Sequence, residues 1–141
     1  MTRATDIALR ALMLAAVKDE QTTVDELAAA LSVPRHHLAK VVQRLAQRDL
    51  LTTTRGRTGG LRIAPGAAGW SVGQIVRDFE SDLDVVDCED PPCPLRGACR
   101  LRSALRRAHE AFLSELDGVT LADLIAPPTG ALLHQIAAPL T

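Results

Sequence analysis

Aromatic side chains are almost missing from this chain of 141 residues: they make up 2% of it, and tyrosine does not occur. A core without rings, in a sequence dominated by Ala and Leu, has to be filled by small and γ-branched side chains, which favours helices. Long apolar runs are absent as well. No stretch approaches the roughly 20 residues that cross a bilayer, so no membrane partner is expected. The segment ALMLAAV, from Ala11 to Val17, imitates the apolar part of an export signal. Its seven residues have Asp6 and Arg10 close by, and it reads as the buried face of a helix. Signatures of catalysis are missing too: there is no HExxH stretch and no Ser/His/Asp arrangement, and GRTGG lacks the lysine and following helix of a phosphate loop. An enzyme is not expected. Cysteine is scarce, and its odd count of three, with no export signal, favours a reducing cytoplasm over disulfides. There is no internal repeat. The length suits one compact domain, or a small domain with an appended helix.

What the sequence does contain is an imbalance of charge. The net charge of -1 hides two unlike parts: the first seventy residues hold ten Lys and Arg against six Asp and Glu, and the remainder holds six against eleven. From Arg35 to Arg62 there are seven basic residues and one acid, Asp49, whereas Asp78 to Asp90 holds seven acids and no base. The basic part suggests a polyanion as partner.

Apolar spacing predicts a first helix over Ala4 to Lys18, with Ile7, Ala11, Leu12 and Ala15 in one stripe. Thr23 and Glu26 form a capping box that starts a short second helix near Val24 and lets it end by Ser32. Pro34 suits the first turn of a third helix, which buries Leu38, Val41, Val42 and Leu45 and turns Arg35, His36, Lys40, Gln43, Arg44 and Arg48 outward. Leu51 to Thr54 and Leu61 to Ala64 read as two strands around the tip RGRTGG. Ser71 and Gln74 form a second capping box, with Trp70 and Ile75 as its hydrophobic staple. Val72, Ile75, Val76 and Phe79 face one way on that helix. Beyond the cysteines, Leu101, Leu105, Ala108, Phe112 and Leu116 mark one side of a long helix. One or two further turns are expected over Thr120 to Ile125. The fold class is therefore mainly α: a winged helix-turn-helix over residues 1–70, a loop and dimerisation-helix region over 71–126, and a tail over 127–141 expected to be mobile.

Helix, turn, basic helix and basic hairpin in that order point to double-stranded DNA. Arg35, His36, His37, Lys40 and Arg44 on the third helix are the candidates for the major groove, and Arg55 and Arg57 on the wing for the minor groove. His36 and His37 are not expected to be a metal pair, because adjacent helical residues point about 100° apart. One copy reads few base pairs, and a long helix with an apolar stripe offers a way to pair two. A homodimer on an inverted-repeat operator follows.

All three cysteines lie in CEDPPCPLRGAC, as Cys88, Cys93 and Cys99. Spacings of four and five residues, in a loop stiffened by Pro91, Pro92 and Pro94 and turned at Gly97, allow the thiols to converge on one soft metal. Structural zinc usually takes four protein ligands, often in paired C-x2-C knuckles, and neither feature is present. An iron-sulfur cluster with one position filled from elsewhere, a zinc site, and redox-sensing thiols without metal all remain open on spacing alone.

The chain resembles the NsrR and IscR superfamily of bacterial winged-helix regulators up to about Ala126. The resemblance is carried by TDIALRALM (Thr5 to Met13), HLAKVVQRL (His37 to Leu45), RGRTGGLRIA (Arg55 to Ala64), SVGQIVRDFE (Ser71 to Glu80), the three cysteines, and Leu101 to Phe112. It implies a dimer that binds DNA and carries an iron-sulfur cluster between the DNA-binding unit and the dimerisation helix. Within that superfamily the sequence is most similar to the NsrR branch, repressors that sense nitric oxide through a 4Fe-4S cluster. There the three cysteines of one subunit are joined by an aspartate from the first helix of the other. Asp6 occupies that position, so the resemblance implies Asp6 of the partner subunit as fourth ligand, with Arg10 one turn along steadying the carboxylate. Two departures stand out. Four residues separate Cys88 from Cys93, where the family more often has five. The IscR branch, with a 2Fe-2S cluster, has a histidine just after the third cysteine, where this chain has Arg100, Leu101 and Arg102, and His109 is too far along to replace it easily.

Overall fold

The computed structural model describes residues 1–80 and 84–138; residues 81–83, inside the acidic stretch, and 139–141, at the end of the tail, lie outside it. Helix α1 (Arg3–Lys18) begins where the Thr2 hydroxyl accepts the Thr5 N–H. Its buried positions Ile7, Ala8, Ala11, Leu12, Leu14 and Ala15 make it the element around which the others pack. The alanines among them permit close approach.

Helix α2 (Val24–Leu31) opens on the expected reciprocal cap, with the Glu26 N–H donating to the Thr23 hydroxyl and the Thr23 N–H to the Glu26 carboxylate, both at 3.1 Å. Ser32, left-handed at φ 52°, ends it. Helix α3 (Arg35–Gln47) follows, burying Leu38, Val41, Val42 and Leu45 as expected. Pro34 stands just before its first turn, where the proline carbonyl accepts the Leu38 N–H at 3.2 Å.

Strands β1 (Leu51–Thr54) and β2 (Gly60–Ile63) form an antiparallel hairpin in which Leu51 faces Ile63 and Thr54 faces Gly60. Thr22 and Leu61 exchange backbone hydrogen bonds of 2.8 and 2.7 Å, so the wing is stitched to the chain just before α2. Gly60 makes this possible, since a Cβ there would stand 2.4 Å from the Thr22 carbonyl oxygen.

Helix α4 (Val72–Phe79) carries the second capping box, from Ser71 and Gln74. Its Ile75 and Phe79 join the main core with α1 and α3, whereas Val72 and Val76 form a small second cluster with Leu113. Trp70 packs, partly buried, on the main core. Helix α5 (Arg100–Asp117) is anchored to α4 through Leu113 and an Arg77–Asp117 pair, Nη2 to Oδ2 at 2.9 Å. Its apolar stripe is covered only in part: Leu116 packs on that cluster and Leu105 is half-buried, while Leu101 and Phe112 are 64% and 46% exposed. Helix α6 (Leu121–Leu124) is a single turn.

The tail departs from expectation. Residues 129–137 form helix α7 (Thr129–Ala137), which packs on α1 and α2 and buries Leu133 in the main core. Pro127 and Pro128 mark the entry to that helix rather than a loss of order, because a proline is tolerated where a helix begins. Among the described residues no helix is long and apolar enough to cross a membrane.

Candidate functional site

The short turn between α2 and α3 and the buried row on α3 leave the opposite face of that helix in solvent. Arg35, His36 and Lys40 are exposed there, and His37 is half-buried. Arg35 Nε donates to Asp25 Oδ1 of α2 at 2.7 Å, between two exposed side chains. The His36 and His37 rings touch, with centroids 4.1 Å apart. Charge on His36, then burial, then Arg3 and Lys40 hold the pKa of His37 below its ordinary value.

The wing presents Arg55 and Arg57 at its tip, both exposed and neither in an ion pair with any described residue. The wing is tied to the body at its tip and along its second strand. Gln21 donates to the Thr58 carbonyl, and Arg62 Nη2 donates to the Asp19 carbonyl at 2.9 Å. A rigid stem with two free guanidiniums suits insertion beside a duplex. Arg3, not singled out from the sequence, joins the same surface: with His37 and Lys40 it lines a cavity of about 360 Å³ between the start of α1 and α3. Nothing local to Arg3 signals this, because the contact is made by packing α1 on α3.

Arg44, exposed on α3, lines that cavity too, and its guanidinium is also tied to the end of α4. Its Nη2 donates to the carbonyls of Asp78 and Phe79, at 3.3 and 3.2 Å, and its guanidinium carbon lies 4.3 Å from the centroid of the Phe79 ring. The same three-residue segment is gripped from the other side. Glu80 Oε1 accepts the Thr2 N–H at 2.7 Å and the Thr5 hydroxyl at 2.5 Å. Burial alone would raise the Glu80 pKa, but these donors outweigh it and hold the carboxyl below its ordinary value.

Eight residues beyond Glu80 the cysteine loop begins. Cys88 is buried, Cys93 and Cys99 are half-buried, and all three thiols are free. The Cys93 N–H donates to the Cys88 carbonyl at 3.1 Å, the Arg96 N–H to the Cys93 carbonyl at 3.1 Å, and the Ala98 N–H to the Leu95 carbonyl at 3.3 Å. Successive tight turns thus step from one thiol to the next. Arg96 pairs with Glu89 across the loop at 2.8 Å. Asp87 accepts the Glu89 and Asp90 N–H groups, which hold its carboxyl below the ordinary value. Cys99 caps α5, its Sγ accepting the Arg102 N–H at 3.5 Å.

Among the described residues no three His, Cys, Asp or Glu side chains are gathered closely enough to hold a metal ion. The donor chemistry nevertheless fits a soft centre: three thiols, one at a helix N-terminus, on one short loop. Asp6, the expected fourth donor, is not brought to that loop within one chain. It pairs on α1 with Arg10, Nε to Oδ1 at 2.8 Å.

Over 137 residues the chain is 50% identical to the HTH-type transcriptional repressor NsrR of Streptomyces coelicolor, covering 94% of this chain and 93% of that one. It is 42% identical over 130 residues to the HTH-type transcriptional regulator NsrR of Geobacillus kaustophilus, covering 89% and 88%. Its fold matches that of IscR from T. potens with a TM-score of 0.71 at 20% identity, over 93% of this chain and 89% of that one. The helix-turn-helix, wing and long helix are thus those of a DNA-binding transcriptional repressor and not of an enzyme. Residues 1–127 match the model of Rrf2, described as iron-dependent transcriptional regulators, and the chain belongs to that family.

Proposed function

We propose that this repressor works as a homodimer on an inverted-repeat operator in the cytoplasm. In this reading it senses nitric oxide through an iron-sulfur cluster of the 4Fe-4S type, held by Cys88, Cys93, Cys99 and Asp6 of the partner subunit. The observation that carries it is the placing of three free thiols on one loop directly before α5, the helix whose apolar stripe stays partly exposed in one chain. A second copy covers the stripe and supplies a fourth donor in one step. The likeness to proteins named NsrR supports nitric oxide as the signal.

Each part of the chain then has a physical task. Arg35, Lys40, Arg55 and Arg57 neutralise phosphates and displace counterions, and His36 and His37 add hydrogen-bonding groups at base edges. Arg10 holds the Asp6 carboxylate in one orientation at the start of α1. The turns between Cys88 and Cys99 set the thiols in sequence and join them to α5. When bound, such a cluster would supply iron able to take nitric oxide as a ligand. Cys88, Cys93 and Cys99 would tie the loop before α5, and Asp6 the start of the partner's α1, to one centre, so that the hold on these two segments would set the spacing of the two reading heads. A shift of a few kcal/mol between competent and incompetent arrangements is enough to empty an operator.

Oxygen-free purification followed by iron, sulfide and zinc analysis tests the assignment. About four iron and four sulfide per chain are expected, with operator binding lost on titration with nitric oxide. Zinc alone, or binding indifferent to nitric oxide, overturns it.

A further inference from the structure

We infer that Arg44 is a positioning residue and not a groove contact: its guanidinium clamps the recognition helix α3 to the end of α4, upstream of the cysteine loop. The part of this inference that concerns signal transmission rests on the cysteine loop being the sensor; the part that concerns DNA affinity does not.

The last carbonyls of a helix have no partner within it and carry the negative end of its dipole. On α4 two such groups, Asp78 O and Phe79 O, are taken by one Arg44 Nη2. The flat face of the same guanidinium rests 4.3 Å from the Phe79 ring centroid, and Phe79 is only 4% exposed, so the ring is a fixed platform. One turn further along α3, Arg48 Nη1 stands 3.6 Å from Asp78 Oδ1. Both groups of Arg44 are used in a way that a lysine cannot reproduce. Helix α3 packs mainly on α1, α2 and β1. These polar contacts add a directional tie between α3 and the end of α4 to the burial of Phe79 in the core they share.

Glu80 closes the other side. Its carboxylate binds the Thr2 N–H and the Thr5 hydroxyl at the start of α1, next to Asp6. Residues 78–80 thus join the recognition helix and the first turn of α1 at one place, upstream of the cysteine loop in the chain. Arg44 Nη2 and the contact with Phe79 are committed to this clamp, while the side chain is otherwise exposed beside Arg3, His37 and Lys40, so the salt slope of its variants separates a clamp from a phosphate contact.

The test compares Arg44→Lys, Arg44→Gln and Glu80→Ala with the parent chain, using duplexes enriched by the parent chain from a random pool. Binding to unselected duplex and thermal melting serve as controls for folding. The clamp predicts that Arg44→Lys, which keeps the charge, weakens selected-duplex binding about tenfold without altering the slope of affinity against salt. Glu80→Ala is expected to weaken it similarly. Removing an acid beside a polyanion would on charge alone tighten binding, so the sign of this effect is decisive. The double variant Arg44→Lys with Glu80→Ala loses no more than the weaker single variant if both act through one clamp. Parent-like binding by Arg44→Lys, with a salt slope reduced by about one in Arg44→Gln, would make Arg44 a phosphate contact and overturn the proposal. Unchanged or tighter binding by Glu80→Ala overturns it as well. Measuring the parent chain with and without its iron separates the two readings: equal affinities defeat the sensing mechanism while the effects of the variants still decide the clamp.

Discussion

On the first turns of α1, Arg10 Nε–H donates to Asp6 Oδ1 at 2.8 Å, with the two side chains 57% and 37% exposed. An i,i+4 pair this open to water contributes little to stability, at most about 0.5 kcal/mol after screening. Its consequence is orientation: the carboxylate is held at one place on a helix that packs against α3 and α4.

Asp6→Ala should therefore fold with stability unchanged to within about 0.5 kcal/mol. The cluster is expected to assemble and to react with nitric oxide at a different rate, because its oxygen ligand has gone. Stopped-flow absorbance of the reconstituted variant measures this. Rates identical to those of the parent chain would remove Asp6 from the ligand set.

For Cys93→Ala the expectation is loss of iron together with loss of operator binding while helical content stays the same. Cys93 is half-buried, and the turns on either side of it use its backbone N–H and carbonyl, which alanine keeps. Circular dichroism, iron analysis and salt-matched DNA titration read the three quantities. Unchanged DNA affinity in iron-free protein would argue that the loop does not control binding.

Much of the fold was legible because its signals are local. The capping boxes at Thr23 and Glu26 and at Ser71 and Gln74 were read from spacing alone and both are formed. The hairpin was read to within a residue, since alternation and a glycine-rich tip are local as well. What escaped depends on neighbours distant in sequence. The outward face of α3 was legible as a face, but periodicity does not tell whether an exposed arginine meets DNA or, as with Arg44, the end of another helix. The bridge between Thr22 and Leu61 and the part played by Arg3 are likewise products of packing. In the tail, Pro127, Pro128 and a lack of charge resembled disorder, yet Leu133 lands on the core. Of the candidate site, the gathering of cysteines was plain, whereas a ligand from a second copy leaves no periodic trace in one chain.

The wing tip allows a quantitative expectation. Arg57 is exposed with no ion pair among the described residues, so Arg57→Ala leaves the fold alone and removes about one phosphate contact. The slope of log affinity against log salt should fall by about 0.9, with weaker binding on every sequence tried. If neither slope nor affinity moved, the wing would not touch DNA.

Gly73 tests the joint between α4 and α5. A Cβ at this position would stand 2.0 Å from Asp117 Oδ1 and 3.0 Å from the Asp117 backbone nitrogen. Alanine would gain up to about 1 kcal/mol of helix propensity. The Asp117 side chain, however, is tied to Arg77 and has little room to retreat. Gly73→Ala is expected to cost a net of about 1 to 3 kcal/mol, seen as a lower melting temperature. A stabilised variant would mean that α5 yields at this joint.

Acid should act on the latch at the start of α1. Burial opposes ionisation of Glu80, but the Thr5 hydroxyl and the Thr2 N–H together carry its pKa below the ordinary value of 4.5. A group whose folded pKa is depressed contributes stability that is present above the unfolded value and disappears as pH falls through the folded one. The Glu80 contribution is thus complete above its unfolded value and is lost as pH falls through the lower folded one. Other carboxyls with lowered values, Glu26 and Asp117 among them, also weaken the fold in acid, so the melting curve of the parent chain alone is not diagnostic. The difference between the parent chain and Glu80→Gln isolates the latch, because the amide does not titrate. That difference should be largest near neutral pH and shrink as pH falls through the carboxylate range; a difference constant with pH would show that the ionised form of Glu80 is not the one Thr2 and Thr5 hold.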